Sequence, residues 1–332
     1  MMKILKIVIL LLLPLSHFAQ DGFVISGKVS GVKSGTAAIK DAGFDRDGLN
    51  GRGIVLPEPV RIVDGEFVLS GKLDRPRLVL LKVSTRSILV LLENTSYEIS
   101  CSFDSLKGGQ LKGGVLNAQF STFGEFSSQK NGDIKAALKA AIKTEVGPYL
   151  AYYYTRDRND VEELYPLMTE EGKNTEVGRL YKERYDGFVN STSGKPFPKL
   201  KLTLPNGMPF TEKDMEGKVV VFDFWASWCA PCIKFIPTLR QYNERYKESD
   251  VLIVSVSVDE TEDIWRKAMK DHPMEWTQVL SDGGFYNGEV KKLLSVPSVP
   301  YMVIVDKKGN IVSTHDAAQK EDLENIILKA LQ

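Results

Sequence analysis

The residues best suited to chemistry in this chain are two cysteines separated by two residues, Cys229 and Cys232. A Cys-x-x-Cys pair can supply half of a zinc site, close a short structural disulfide or undergo reversible thiol-disulfide exchange. Zinc needs two further ligands, but the sequence has no second such pair, and His272 and His315 lie far away without paired spacing. A disulfide that closes so short a loop adds little stability. These considerations favour a redox-active pair.

The segments on either side of the pair indicate which cysteine reacts first. An apolar segment, Val219 to Trp225, precedes the pair, and a helical pattern follows it. A cysteine at a helix N-terminus lies among unpaired N–H groups and near the positive end of the helix dipole, which lower the pKa of its thiol. We therefore predict that Cys229 is the nucleophile. Pro231 suits the first helical turn, and Cys232, three residues on, is within disulfide reach as the resolving thiol.

A single acidic residue, Asp223, interrupts the apolar segment before the pair. Burial of a carboxyl group without partners raises its pKa, and such a group could relay the proton of a neighbouring buried thiol. The alternative is an Asp that is hydrogen-bonded to nearby backbone at the end of a strand. Asp223 is therefore a candidate proton relay.

The elements that must position these residues alternate between strand and helix from Phe197 onward. In order, the pattern predicts a strand over Val219 to Trp225, a helix after Cys229, a strand over Val251 to Val258, a helix over Glu262 to Lys270, a strand over Thr277 to Leu280, a helix over Glu289 to Leu294, strands over Tyr301 to Val305 and Ile311 to Thr314, and a helix from Glu321 to Leu331. Such alternation predicts an α/β domain whose sheet contains parallel pairings and has helices on both faces.

The region before this domain has two different patterns. Short segments rich in Val, Ile, Leu and Phe run from Phe23 to about Phe103, and Asp64-Gly65 is a hairpin signal between two of them, so we predict a small antiparallel β domain. From Asn117 to Asn190 the pattern is helical, with an apolar stripe behind a capping Asp133. Gly147-Pro148 is predicted to end that helix, before further helical stretches.

Composition and the N-terminus restrict the function further. The 43 basic residues balance 43 acidic ones, and no basic run is present, which argues against nucleic-acid binding. Lys3 and Lys6 precede an aliphatic stretch, and small or polar residues surround Ala19, as in a cleaved secretory signal over residues 1–20. We therefore expect the protein to be exported. The alternative is an uncleaved segment that anchors it in the membrane.

The third cysteine, Cys101, alternates with Tyr97, Ile99 and Phe103 on the apolar face of a predicted strand. This position favours a buried, unreactive thiol. An exposed thiol that forms a homodimer is the alternative.

Two segments of the sequence resemble those of a known family. Val221 to Cys232 is similar to the active-site segment of thioredoxins, and Ser298 to Val312 resembles the cis-proline segment of the exported TlpA/ResA-like branch. The resemblance implies a thioredoxin-like fold over residues 191–332. It also implies that Pro300 is a cis-proline facing the disulfide and that the backbone of Val299 pairs with bound substrate. Trp228 would shape the surface, and Asp223 would occupy the buried-acid position.

Two positions complicate this resemblance. ResA-like reductases often have Glu three residues after the second cysteine, where this chain has Phe235, which argues against a mechanism that relies on an acid there. Val296-Pro297 is a second Val-Pro pair, but Pro300 directly precedes the apolar strand. Residues 21–116 resemble the β-rich domain of unknown function 4369 found in exported Bacteroidetes proteins, and residues 117–190 form a helical connection.

The expected function is that of an exported, periplasmic enzyme that reduces protein disulfides through Cys229 and Cys232, with no metal or organic cofactor. Ala230-Pro231 resembles the dipeptides of reducing family members rather than the Pro-His of strong oxidants. A membrane thiol-transfer protein would re-reduce the enzyme. The alternatives are a disulfide oxidase or isomerase, a peroxiredoxin-like peroxidase, and a partner-binding module with secondary redox activity.

Overall fold

A computed structural model describes residues 22–42, 57–107, 110–129, 133–316 and 323–332 of the chain. The chain divides into two compact units, Met1–Glu125 and Phe126–Gln332. The predicted secretory signal, residues 1–20, lies outside the described residues and stays a prediction. Within the described ranges, no helix is both long enough and apolar enough to cross a bilayer.

The first unit contains a mixed sheet of strands in the order β6-β5-β2-β3-β4-β1-β7-β8. The strands are β1 (Phe23–Ser30), β2 (Ser34–Asp41), β3 (Val60–Val63), β4 (Glu66–Gly71), β5 (Arg77–Val83), β6 (Arg86–Leu92), β7 (Ser96–Ser102) and β8 (Leu111–Lys112). The expected antiparallel arrangement holds for most pairs, but β1 and β7 are parallel. Those two strands are far apart in sequence, so no hairpin forces them to be antiparallel.

Cys101 lies in β7 and is half-buried against the core of this sheet. Burial raises the pKa of its thiol. Helix α1 (Val115–Ser127) follows the sheet.

Five helices lead from there to the C-terminal sheet: α2 (Ile134–Ala141), α3 (Gly147–Tyr154), α4 (Arg158–Leu164), α5 (Glu170–Asn174) and α6 (Glu176–Asn190). Asp133 caps α2, as predicted, because its side chain accepts a hydrogen bond of 2.9 Å from the Ala136 N–H. The prediction that Gly147-Pro148 ends this helix is wrong. Helix α2 ends at Ala141, and Gly147-Pro148 begins α3, where a proline is tolerated because first-turn N–H groups have no helical partner.

The C-terminal sheet has the strand order β10-β9-β13-β12-β11-β14-β15. Its elements are β9 (Leu202–Thr203), β10 (Pro209–Phe210), α7 (Glu212–Met215), β11 (Val219–Trp225), α8 (Ala230–Tyr246), β12 (Val251–Ser257), α9 (Glu262–Asp271), β13 (Thr277–Ser281), α10 (Gly284–Asn287), α11 (Glu289–Leu294), β14 (Tyr301–Val305), β15 (Ile311–Asp316) and α12 (Leu323–Leu331). Strand β11 pairs parallel with β12 and antiparallel with β14. The predicted α/β fold is confirmed.

The central strand β11 is buried along its whole length, which explains its nearly continuous apolar sequence. Phe222 and Phe224 pack on one face of the sheet with Trp265 of α9 and Leu294 of α11. The opposite face holds a second cluster, which includes Val219, Val221, Ile236 of α8 and Ile327 of α12. Helices therefore cover both faces, as expected.

Helices α6 and α11 pack closely within the second unit. The Ser295 hydroxyl, just after α11, donates a hydrogen bond of 2.8 Å to the Arg184 carbonyl of α6. A Cβ atom at Gly187 would lie 2.2 Å from that hydroxyl oxygen, so any side chain at position 187 would collide with it. The absence of a side chain at Gly187 allows this approach.

Candidate active site

The cysteine pair lies at the junction between β11 and α8. Cys229 is the N-cap of α8, and Pro231 occupies the first turn. Cys229 and Cys232 form a disulfide with a Cα–Cα distance of 5.3 Å, and their exposed fractions are 4% and 3%. The backbone N–H of Cys232 donates a hydrogen bond of 3.2 Å to Cys229 Sγ. In the reduced protein, a donor aimed at this sulfur favours the thiolate over the thiol.

The segment that resembles a cis-proline loop lies at the same edge of the sheet. Within the described residues, the cis peptide bond is Val299–Pro300, which is the conformation that the resemblance implies. Pro300 directly precedes β14, whose first residue, Tyr301, is paired with Phe224 of β11. The start of β14 therefore lies beside the end of β11, from which the chain turns toward Cys229. Val299 is half-buried and packs against the core.

Asp223 is buried on the face of the sheet against which α8 packs. It alternates with Val219 and Val221 of the cluster that includes α8. Its Oδ2 accepts a hydrogen bond of 3.1 Å from the hydroxyl of Ser255, the residue paired with it on β12. The indole N–H of Trp276 in turn donates to Ser255 Oγ at 2.9 Å. A chain of neutral donors thus holds the carboxyl group below the helix that carries Cys232.

A second buried acid, Asp259, was not among the predicted site residues. Its carboxylate, 1% exposed, accepts hydrogen bonds from the Ser227 backbone N–H at 3.0 and 3.2 Å and from the Ser227 hydroxyl at 2.8 Å. The Ser257 hydroxyl donates to it at 2.8 Å. Asp259 therefore ties the end of β12 to the turn that precedes Cys229. An acid just past the carboxyl end of a buried strand is the sequence signal that could have identified it.

Aromatic side chains form one rim of the site. Trp228 is 56% exposed, and its ring meets that of Phe285 edge to face with centroids 6.0 Å apart. Phe285 is buried, and Lys291 Nζ lies 5.0 Å from its ring centroid. The same ammonium donates hydrogen bonds to the Val296 and Pro297 carbonyls at 2.7 and 3.3 Å.

The remaining predictions about this site concern Phe235 and metal binding. Phe235 is half-buried in α8 and packs against the cluster that includes Val219, so its position contributes apolar contact rather than an acid. Across the part of the chain that the structure describes, no three His, Cys, Asp or Glu side chains are grouped as a metal site would require.

Comparisons with known proteins identify the family of this chain. A family model described as thioredoxin-like matches residues 217–311. The thiol-disulfide oxidoreductase ResA of Bacillus cereus (strain ATCC 10987 / NRS 248) is 31% identical over 150 residues, which are 44% of this chain and 84% of the relative. The chain belongs to the ResA-type thiol-disulfide oxidoreductases of the thioredoxin-like family. It is an oxidoreductase, and the family acts on protein thiols.

Two further comparisons cover a similar share of the chain. ResA of Bacillus subtilis (strain 168) is 25% identical over 144 residues, 43% of this chain and 78% of the relative. A solved structure of a putative thiol:disulfide interchange protein DsbE from Chlorobium tepidum is 30% identical and covers 42% of this chain and 99% of its own, with a TM-score of 0.39. The resemblance of residues 21–116 to the domain of unknown function 4369 stays a prediction.

Proposed function

We propose that this ResA-type oxidoreductase is exported and reduces disulfides in other proteins, with Cys229 as nucleophile and Cys232 as resolving thiol. The observation that carries the proposal is the position of the pair. Cys229 caps α8 and accepts the Cys232 N–H, at the sheet edge that also holds the cis Val299–Pro300 bond. Helix-terminal cysteines have lowered thiol pKa values and react as thiolates.

The proposed reaction has two exchange steps. The Cys229 thiolate attacks one sulfur of the substrate disulfide, so a mixed disulfide forms and the other substrate sulfur leaves as a thiolate, which takes a proton from water. Cys232 then loses its proton to Asp223 and attacks Cys229 Sγ, which releases the second substrate sulfur as a thiolate. That thiolate takes a proton from water, and Asp223 returns its own proton to water. Two electrons pass to the substrate, and the enzyme is left with the Cys229–Cys232 disulfide.

Asp223 suits the role of proton relay because it is buried on the face of the sheet that α8 covers. Its Oδ2 accepts a hydrogen bond of 3.1 Å from the hydroxyl of Ser255, a neutral donor. A carboxyl group in that setting can take up and return a proton.

The proposal that the substrate is a protein rests on two features beside the cysteine pair, the aromatic rim and the cis-proline loop. Trp228 offers an exposed aromatic face beside Cys229, and the backbone of Val299, next to the cis bond, can pair with an extended polypeptide. A protein disulfide in a flexible segment fits both contacts. Re-reduction then requires a thiol donor, which we assign to a membrane thiol-transfer protein because of the predicted signal over residues 1–20.

Cysteine variants test the assignment of the two thiols. Cys229→Ser should abolish reduction of an insulin-like protein disulfide, whereas Cys232→Ser should keep the nucleophile and accumulate mixed disulfides with substrate. Cys101→Ser is the matched control and should retain full activity, because Cys101 lies in the sheet of the first unit. Turnover by the Cys229→Ser protein would contradict the assignment.

The reduction potential tests the direction of electron flow. We expect a value nearer that of thioredoxin, about −270 mV, than that of DsbA, about −120 mV. Equilibration with a glutathione buffer that gave a value above about −180 mV would favour a disulfide oxidase or isomerase. Consumption of hydrogen peroxide at a rate comparable with disulfide reduction would instead favour a peroxidase.

A further inference from the structure

Two separate segments border the cysteine pair, and one lysine contacts the second of them directly and the first through an aromatic ring. The first segment is the turn of residues 226–229, which carries Trp228. The second is the loop of residues 295–300, which ends at the cis-proline. Lys291 and Phe285 lie between these two segments.

The contacts of Lys291 are unusual for a lysine on a short surface helix. Its side chain is half-buried, and Nζ donates hydrogen bonds to the Val296 carbonyl at 2.7 Å and the Pro297 carbonyl at 3.3 Å. Its backbone carbonyl accepts the Ser295 N–H at 3.1 Å, so both ends of the residue hold the start of the loop. A charged donor on two backbone carbonyls forms stronger hydrogen bonds than a neutral one would.

The same ammonium group reaches the other rim through an aromatic ring. Nζ lies 5.0 Å from the Phe285 centroid, within the range of a cation–π interaction. The edge-to-face contact of Phe285 with Trp228, at 6.0 Å, continues the connection to the residue directly before Cys229. The aromatic rim and the cis-proline loop are therefore tied to one charged group.

We propose that Lys291 is a positioning residue for protein substrates: it fixes the 295–300 loop against the Phe285–Trp228 aromatic pair, so that the groove for an extended polypeptide is already formed before binding. This inference rests on the proposed function, because it assumes that Trp228 and Val299 contact substrate. Pre-formed groups improve binding because less ordering remains to be done when the substrate arrives. The described contacts of Lys291 are with loop carbonyls and the Phe285 ring, so we expect the chemistry of Cys229 to be independent of it.

The experiment compares a large and a small substrate on the full-length protein. Lys291→Met removes the ammonium but keeps the aliphatic stem, and Lys292→Met is the matched control, because Lys292 is its exposed neighbour on the same helix. For an insulin-like protein disulfide we expect Lys291→Met to raise KM about tenfold, the effect of losing charged hydrogen bonds to the loop, with kcat nearly unchanged. For 5,5′-dithiobis(2-nitrobenzoate), which has no peptide backbone to pair with Val299, both variants should match the wild type.

Further variants separate positioning from general damage. Lys291→Arg keeps a charged donor and a cation–π partner, so its KM should lie close to that of the wild type. Lys291→Gln is a second neutral variant in case the methionine variant does not fold, and its KM should be raised as in Lys291→Met. Equal KM values for Lys291→Met and Lys292→Met would overturn the inference, as would an equal loss toward both substrates. Failure of the wild type itself to reduce the protein disulfide would refute the proposed function, and this inference would fall with it.

Discussion

Replacing Asp259 by alanine should strongly destabilise the second compact unit, because this side chain ties the end of β12 to the turn before Cys229. The buried carboxylate accepts hydrogen bonds from the Ser227 N–H, the Ser227 hydroxyl and the Ser257 hydroxyl. A hydrogen bond to a charged group contributes about 1.5–3 kcal/mol, and a buried donor left without a partner costs about 1–3 kcal/mol. The two hydroxyls can rotate toward other acceptors, but the Ser227 N–H is fixed by the backbone.

These terms set the expected size of the effect. Full loss of the fixed N–H contact and partial loss of the two hydroxyl contacts gives a decrease of about 3–5 kcal/mol in the free energy of unfolding. Ser227→Ala is the matched control. It removes one hydrogen bond to the carboxylate and leaves the backbone N–H bound to Asp259, so it should cost about 1.5 kcal/mol, the low end of the range for a bond to a charged group, because Ser227 is only half-buried.

Urea unfolding of the oxidised protein, followed by tryptophan fluorescence, measures this difference. All four tryptophans of the chain lie between residues 225 and 276, so the signal reports the second unit. A loss below about 1 kcal/mol for Asp259→Ala would refute the idea that its carboxylate anchors the turn before Cys229. Equal losses for Asp259→Ala and Ser227→Ala would show that the backbone contact contributes nothing.

Three further outcomes are expected. Asp223→Asn should slow resolution of the mixed disulfide by at least about tenfold while leaving the first attack nearly unchanged. Single-turnover rates equal to those of the wild type for both steps would leave Asp223 with a structural role only. Burial raises the pKa of Tyr181 from 10.0 to about 12. Between pH 10 and pH 12 the unfolded state therefore loses a proton that the folded state keeps, so the free energy of unfolding should fall by about 1.4 kcal/mol per pH unit. Tyr181→Phe, which also loses the 2.8 Å hydrogen bond with Thr155, should start less stable but show a smaller alkaline decrease in urea titrations. Alkylation of Cys101 by iodoacetamide at pH 8 should be slower in the folded protein than in urea, because burial raises the pKa of its thiol; equal rates would contradict this.

Those parts of the fold that depend on local pattern were predictable. The strand predicted over Val219 to Trp225 has the same bounds in the structure. All seven residues are buried, so the strand is a nearly continuous apolar segment whose ends can be read from the sequence. The helix over Glu289 to Leu294 and the strand over Tyr301 to Val305 also match. The proximity of Cys229 and Cys232 follows from spacing alone, whereas the cis bond before Pro300 could be expected only from the family resemblance.

Elements with weak local signals were missed. Strands β9 and β10 have two residues each, and β2 contains Gly35, Ala37 and Ala38, whose strand propensity is low; their pairing partners decide their conformation. Helices α3 and α10 were also missed.

Among site residues, Asp259 and Lys291 escaped prediction for a different reason. The place of Asp259 just past a buried strand could be read from the sequence, but its contact with Ser227, 32 residues earlier in the chain, appears only once strand order is known. The contact of Lys291 with Phe285 likewise depends on two short helices whose mutual orientation is not encoded in either one.

The close approach of α6 to α11 affects how this protein can be recombined with its relatives. Because the Ser295 hydroxyl occupies the space that a side chain at Gly187 would fill, a chimera joined between residues 190 and 191 would set a foreign helix against this serine. Such a helix fits only if it brings a glycine at the corresponding position. A crossover between the end of α1 and the start of α2 instead keeps both partners of the contact in one parent, so recombination there should yield folded progeny more often.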